Sequence, residues 1–386
     1  MAGAWRLQVQ AGTHERRQCP VDAAAPQGLA DGPYTLLRDG GGSFPAACAG
    51  GRFLALLPAL PAGAAAEFTV RPGAGDAPSD APALETTPEA VHVRLGAEPL
   101  TTLWLRAGPK PFMHPLRAPG GISVVRGWPV APREGDTTDH PHHRGAWVGH
   151  GDLGGADTWE ERPDRAGSIA VESVSCQTHE GLCAEIALDL AWLRHGGALA
   201  ARERRLYRFW GGGGPSGAAH LFDQESEYRG ADGGPVVFGD TKEGALCGVR
   251  VATGMEGKVG GRILTAEGAR GEAEAWGSPA GWCDYSGEPR DGSGETVGVA
   301  IFDHPDNPLH PARWHVRDYG LMACNPFALS HYRPKQGVRG DFEIPAGGTA
   351  AFRFRVCVHR GDARTGDVAD RYADFAFPPR LRWTEA

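Results

Sequence analysis

Short runs of alternating apolar and polar residues recur from one end of the chain to the other, separated by glycine- and proline-rich turns. The clearest cover positions 5–10, 90–95, 121–126, 168–174, 184–190, 204–209, 219–224, 296–302 and 351–358. In the last, Phe352, Phe354, Val356 and Val358 alternate with Arg353, Arg355 and Cys357. A period of two puts one face of a strand on a core and the other toward polar surroundings, as in antiparallel sheets. One stretch has helical spacing: Asp362 is placed to cap a helix over 363–375, with Val368, Tyr372 and Phe375 on one side. Regular alternation of strand and helix is missing, which excludes doubly wound and barrel α/β folds. The pattern predicts an all-β fold, an antiparallel β-sandwich with few helices.

Composition fits that picture. The 57 glycines and 31 prolines act as turn punctuation, and 41% hydrophobic residues suffice for a large core. The run Gly211-Gly-Gly-Gly-Pro-Ser-Gly217 reads as a hairpin tip, since no Lys-Ser/Thr follows it as in a phosphate loop. A Pro/Gly/Ala/Asp stretch over 72–83 reads as a linker. It divides a small β-rich segment, 1–80, from a main domain, 86–386.

A formal charge of −8 and the lack of a dense Lys/Arg run argue against nucleic-acid and membrane-surface partners. Only Lys110, Lys242, Lys258 and Lys335 are lysines, so each retained one draws notice. No window has the roughly 20 apolar residues of a spanning helix, and the N-terminal residues lack a secretory pattern. A cytoplasmic protein is expected, with its eight scattered cysteines reduced and mostly buried.

The fifteen histidines are concentrated in two places. His140, His142, His143 and His150 fall within eleven residues, together with Asp139, Arg144 and Trp147. His304, His310, His315 and His331 follow much later, among Asp303, Trp314, Arg317, Asp318 and Tyr319. Imidazole titrates near neutrality, which suits proton transfer or metal ligation. Trp and Tyr offer flat apolar faces, and Arg and Asp bind hydroxyls or carboxylates; together they make the inventory of a small-polyol site. In an extended run His140, His142 and Arg144 would share one side. His140, His142 and His143 are thus the candidate ligands of a divalent metal such as zinc or manganese, although no closed ligand signature is present.

A third group is acidic. Asp223, Glu225 and Glu227 share one strand face, and Lys242 abuts Glu243 beside a predicted sheet rim. Carboxylates on a sheet can serve as base or nucleophile in sugar chemistry, and the same pattern also fits a solvated face with a weak ion pair.

Several ordered motifs resemble the bacterial family labelled methane oxygenase PmoA, or PmoA-like. They are Asp139-His-Pro-His-His-Arg-Gly-Ala-Trp-Val-Gly-His-Gly-Asp152, Thr158-Trp159, Asp240-Thr-Lys-Glu-Gly244 with Val249-Arg250, Phe302-Asp-His-Pro305, Trp314-His-Val-Arg-Asp-Tyr-Gly320 and Asn325-Pro-Phe327. The resemblance spans roughly residues 90 to 360. It implies a β-supersandwich akin to galactose mutarotase and a link to sugar metabolism. On that basis His140, His142, His143, His150, Lys242, Glu243, His315, Asp318 and Tyr319 are the catalytic candidates. Arg144, Trp147, Trp159, Glu225, His304, Trp314, Arg317 and Asn325 are the candidates for holding substrate. The expected activity is cleavage of a glycoside or oxidised sugar, by hydrolysis or elimination. A mutarotase-like epimerase and a non-catalytic sugar-binding module are the alternatives.

Overall fold

The computed structural model describes residues 5–17, 19–75, 78–179, 181–212 and 219–385. At its centre two eight-stranded antiparallel sheets face each other. The long-strand sheet runs Ser168–His179, Cys183–Leu193, Leu199–Trp210, Ala219–Gly230, Ala350–Arg360, Val297–Asp303, Trp282–Gly287, Arg262–Thr265. The loop-bearing sheet runs Trp314–Arg317, Leu321–Cys324, Gly244–Arg250, Ala146–His150, Phe112–Leu116, Glu98–Trp104, Ala90–Leu95, Pro82–Thr86. Ile186, Phe222, Val299 and Phe354 of the first meet Val93, Leu103, Val148 and Leu246 of the second in one continuous core. This is the all-β sandwich that the alternation predicts.

Several strands extend beyond their predicted ends; Ser168–His179 and Leu199–Trp210 each have twelve residues. The 121–126 run does not become a strand and makes only bridges at Ser123 and Val125. There the Ser123 hydroxyl bonds to the backbone of Val125, a local bond that competes with ladder formation. Part of the glycine-rich tip, 213–218, and part of the linker, 76–77, lie outside the described residues.

A third, seven-stranded sheet is formed by residues 5–72 together with Arg380–Glu385, which pairs with Trp5–Gln10. The chain's C-terminal strand therefore sits with the N-terminal ones. This sheet covers part of the outer face of the long-strand sheet, where Ala47, Leu54 and Leu56 pack against Leu182, Trp210 and Leu221. That cover changes the meaning of the 351–358 alternation. Phe352, Phe354, Val356 and Val358 enter the core as expected, but Arg355 and Cys357 on the other face are buried as well. Arg355 reaches both oxygens of Asp223, at 2.6 and 2.9 Å.

Three short α-helices are present among the described residues: Gly271–Ala275, Leu329–Tyr332 and Val368–Ala376. The predicted helix begins later than expected because Asp362 caps a turn instead, exchanging hydrogen bonds with Thr365. No helix among the described residues is long and apolar enough to cross a membrane. All eight cysteines are free, and only Cys176 is exposed.

The last helix is tied to the N-terminal sheet by Arg16. Its guanidinium bonds to Asp374 at 2.9 Å, both side chains nearly out of water, and to the carbonyls of Ala11 and Phe377. Removing one partner leaves the other buried and unpaired, which costs about 3–5 kcal/mol. Arg16→Ala is expected to lower unfolding free energy by that order in urea titration; a change under about 0.5 kcal/mol, typical of a surface site, would refute this role.

Candidate functional site

Alternation decides which side chains leave the sandwich. In Trp314–Arg317 the apolar Trp314 and Val316 turn inward, so His315 and Arg317 turn outward. In Ala146–His150, Val148 enters the core and Trp147 faces out. The outer face of the loop-bearing sheet thus carries Phe112, Trp147, Ala245, Leu321 and Ala323, roofed by Trp159. Trp159 is held there because Thr158 exchanges bonds with the backbone of His150 and Asp157 accepts from the Trp159 amide.

Over this floor lies the loop carrying Asp139–His143. It is a turn, not an extended run: the His143 amide donates to the His140 carbonyl at 3.0 Å, with Pro141 at the first central position. His140 adopts a left-handed φ of 48°. Two buried arginines hold it. Arg126 donates to Asp139 Oδ1 at 2.6 Å and to the His140 carbonyl at 3.2 Å. Arg250 donates to the same Asp139 oxygen at 2.7 Å and to Glu256 at 3.2 Å. The other Asp139 oxygen lies 2.8 Å from His140 Nδ1.

The turn stacks the rings. Tyr319, His140, His143 and Trp147 form a ladder with centroid spacings of 4.7, 4.9 and 4.9 Å and near-parallel planes. His142 stands edge-on to His143 at 4.4 Å. Trp159 lies edge-on to His143 and stacks on His315 at 6.2 Å. Arg250 caps the Tyr319 ring at 4.8 Å. The two histidine-rich segments, far apart in sequence, therefore meet on one sheet face.

The charges are paired. Lys110, 2% exposed, donates to Glu161 at 3.0 Å and to the Trp159 carbonyl. Arg144 takes the other Glu161 oxygen at 2.5 Å, Lys242 donates to Glu243 at 2.7 Å, and Arg317 lies 3.0 Å from Glu272. Burial alone would raise the Asp139 pKa, but Arg250, His140 and Arg126 bring it down to about 2. Burial, reinforced by nearby cations, pushes the His142 and His315 imidazoles down to about 3 and His143 well below its usual range. These three rings are neutral at physiological pH, and His143 Nε2 and His315 Nδ1 are buried with no hydrogen-bond partner among the described residues. An ionised Asp139 only accepts, so His140 Nδ1 is the donor in their contact. The His140 side chain is 38% exposed.

Among the expected site residues, His140, His142, His143, His315, Tyr319, Trp147 and Trp159 pack together. Lys242 acts electrostatically on His315, and Glu243 on Tyr319, which puts that pair at the edge of the same patch. Trp147 and Trp159 are buried beneath the histidines and offer no open face. Asn325 is also buried and holds the Lys242 turn, donating to the carbonyls of Thr241 and Lys242.

Others stand apart. His150 turns into the sandwich against Phe238 and Phe327, bonding to the Gly239 carbonyl at 2.9 Å. Trp314 is wholly in the core. Asp318 turns toward Glu272 and Gly257. His304 packs on Phe375. Glu225 lies on the outer face of the other sheet, 3.8 Å from Arg208, which also binds Asp22. The alternation of Trp314-His-Val-Arg317 carried the signal that Trp314 belongs to the core.

Among the described residues no group of three or more His, Cys, Asp or Glu side chains is placed to hold a metal ion. For His140 and His143 the stacking explains it: parallel rings send their nitrogens along parallel planes, whereas ligands of one ion converge. The sequence reasoning missed Arg126, Glu161 and Glu256 as parts of the site. Lys110 and Arg250 carried a signal, one as a rare lysine and one inside a quoted motif.

A protein-family model described as a family of unknown function (DUF6807) matches residues 90–373, and the chain belongs to that family. The matched range contains every residue of the ring ladder. No curated protein matches the chain. Twenty-eight chains of solved structures match. One is the alpha-galactosidase from Lactobacillus brevis, at 9% identity and a TM-score of 0.35, over 77% of this chain and 42% of that one. The chain thus spans less than half the length of that enzyme.

The depressed imidazoles carry a stability consequence. As pH falls through about 6.5 the unfolded chain takes up protons on these rings, while the folded His315 and His150 resist until about 3 and 4. Stability is full above that window and falls within it, approaching about 1.4 kcal/mol per pH unit for each buried ring. The melting temperature is expected to be flat from pH 8 to 7 and to drop steadily below 6.5. A constant value down to pH 5 would contradict the neutral assignment.

Proposed function

We propose that the patch around His140 is the active site of an enzyme that cleaves a glycoside or an oxidised sugar derivative by proton transfer next to a carbonyl or anomeric carbon. The observation that carries this reading is the Asp139–His140 pair. One carboxylate, fixed by two arginines, selects the tautomer whose Nε2 can take a proton from a bound substrate. Neutral His142 and the half-exposed Lys242–Glu243 pair border the same patch. The resemblance to PmoA-like proteins, and through them to the galactose-mutarotase group, supports a sugar as the substrate class.

In the elimination form, a ketone beside a C–H bond makes that proton acidic. His140 Nε2 removes it, and the electron pair moves into the enolate, whose oxygen the Lys242 ammonium holds. The enolate then expels the aglycone oxygen, which takes up a proton, leaving an unsaturated ketone. Arg144 is less suited to that oxyanion because Glu161 and the Ala107 carbonyl already occupy it. A second reading, a non-catalytic sugar-binding module, is favoured by the low basicity of the part-exposed His142, which leaves it a neutral hydrogen-bonding group.

Glycosides and 3-keto-glycosides offered to the purified protein, with calorimetry for binding, separate these readings. Turnover of at least one is expected, with His140→Ala lowering kcat about 10²- to 10⁴-fold while the melting temperature stays near wild type. Sugar binding without turnover, changed only modestly by His140→Ala, supports the binding module. Neither turnover nor binding of any sugar refutes both.

A further inference from the structure

Across the sandwich from the ring ladder, the outer face of the long-strand sheet holds a cavity of about 520 Å³ beside the edge strand Arg262–Thr265. In Trp282–Gly287, Cys283 and Tyr285 enter the core, so Asp284 and Ser286 face outward and line this cavity. His359, two strands away, reaches Asp284 because the intervening strand has Gly298 at the crossing, paired with Ser286 on one side and His359 on the other. A Cβ at position 298 would come within 2.4 Å of the imidazole.

The result is an Asp284 Oδ2–His359 Nε2 contact of 2.8 Å with both side chains out of water. The second carboxylate oxygen, Oδ1, is buried and has no hydrogen-bond partner. Leaving a carboxylate oxygen unsatisfied is costly, and such an atom in a native protein marks a missing donor. The rim supplies the opposite character. Arg262, Arg270 and Arg364 line the same cavity. Arg262 donates to Asp362 at 3.2 Å, and Asp362 also accepts from the Thr365 amide. The Arg270 and Arg364 guanidiniums make no ion pair among the described residues.

We propose that this cavity is a binding site for a small hydroxylated oxyanion. Its carboxylate or phosphate group is held at the rim by Arg270 and Arg364, and one of its hydroxyls donates to Asp284 Oδ1 on the floor. Two guanidiniums outside any close ion pair suit a planar or tetrahedral anion, although Arg364 also attracts the nearby Asp362 carboxylate, and the inner acceptor selects for a hydroxyl-bearing one. The inference is independent of the role given to His140, since it uses a different sheet face.

Calorimetric titration of the full chain with D-gluconate, D-glucose 6-phosphate, acetate and inorganic phosphate tests it and distinguishes the two anion types. Saturable binding of gluconate or glucose 6-phosphate is expected, about tenfold tighter than the matching plain anion. Asp284→Asn should erase that advantage, and the double variant Arg270→Ala/Arg364→Ala should weaken all binding about tenfold or more. The double variant alters only exposed side chains, so it keeps the test decisive if Asp284→Asn does not fold. No saturable binding by either hydroxylated anion, equal binding of gluconate and acetate, or undiminished binding by the double variant would overturn the proposal.

Discussion

One carboxylate holds the site together. Asp139 lies between the guanidiniums of Arg126 and Arg250, which are 1% and 0% exposed, and touches His140 with its other oxygen. Two buried cations next to each other repel, and the shared anion offsets that repulsion, with Glu256 as a further partner of Arg250. The anion in turn fixes the backbone turn that sets His140 and His143 in register. Arg250 comes from a strand of the sheet and also covers the Tyr319 ring, so the same network joins the two segments. Without the carboxylate, the ladder would lose the support that brings its two sequence-distant halves to one place.

The pairing also changes the chemical character of the patch. Read as a string of residues, it is rich in arginine, lysine and histidine and looks cationic. Folded, Glu161 serves Lys110 and Arg144, Glu243 serves Lys242, and Glu272 serves Arg317. The cations are neutralised locally, yet those close to the rings still help to keep His142 and His315 uncharged. Of these rings His143 and His315 are buried, while His140, held by Asp139, keeps a side chain that is 38% exposed.

Much of the fold was legible because strand alternation is a local signal: 5–10 and 90–95 match their strands residue for residue. What hid was non-local. The outer face of 351–358 reads as polar, and only the third sheet, built from both ends of the chain, makes it interior. The histidine loops were legible as clusters, but the turn at Pro141 could not be separated from an extended run without the arginines that fix it. Arg126 gave no signal of its own, because its role depends on a loop 11 to 14 residues later and on a strand much further along. Glu225 illustrates the reverse: its strand pattern was legible, while the face it occupies depends on which sheet lies beneath.

Amide hydrogen exchange across residues 137–145 in Asp139→Asn, set beside the unaltered chain, addresses the clamp most directly. Exchange at least about tenfold faster in that loop is expected, with protection in the Ala146–His150 and Gly244–Arg250 strands retained. Unchanged protection of the loop would show that the turn stands without the shared carboxylate.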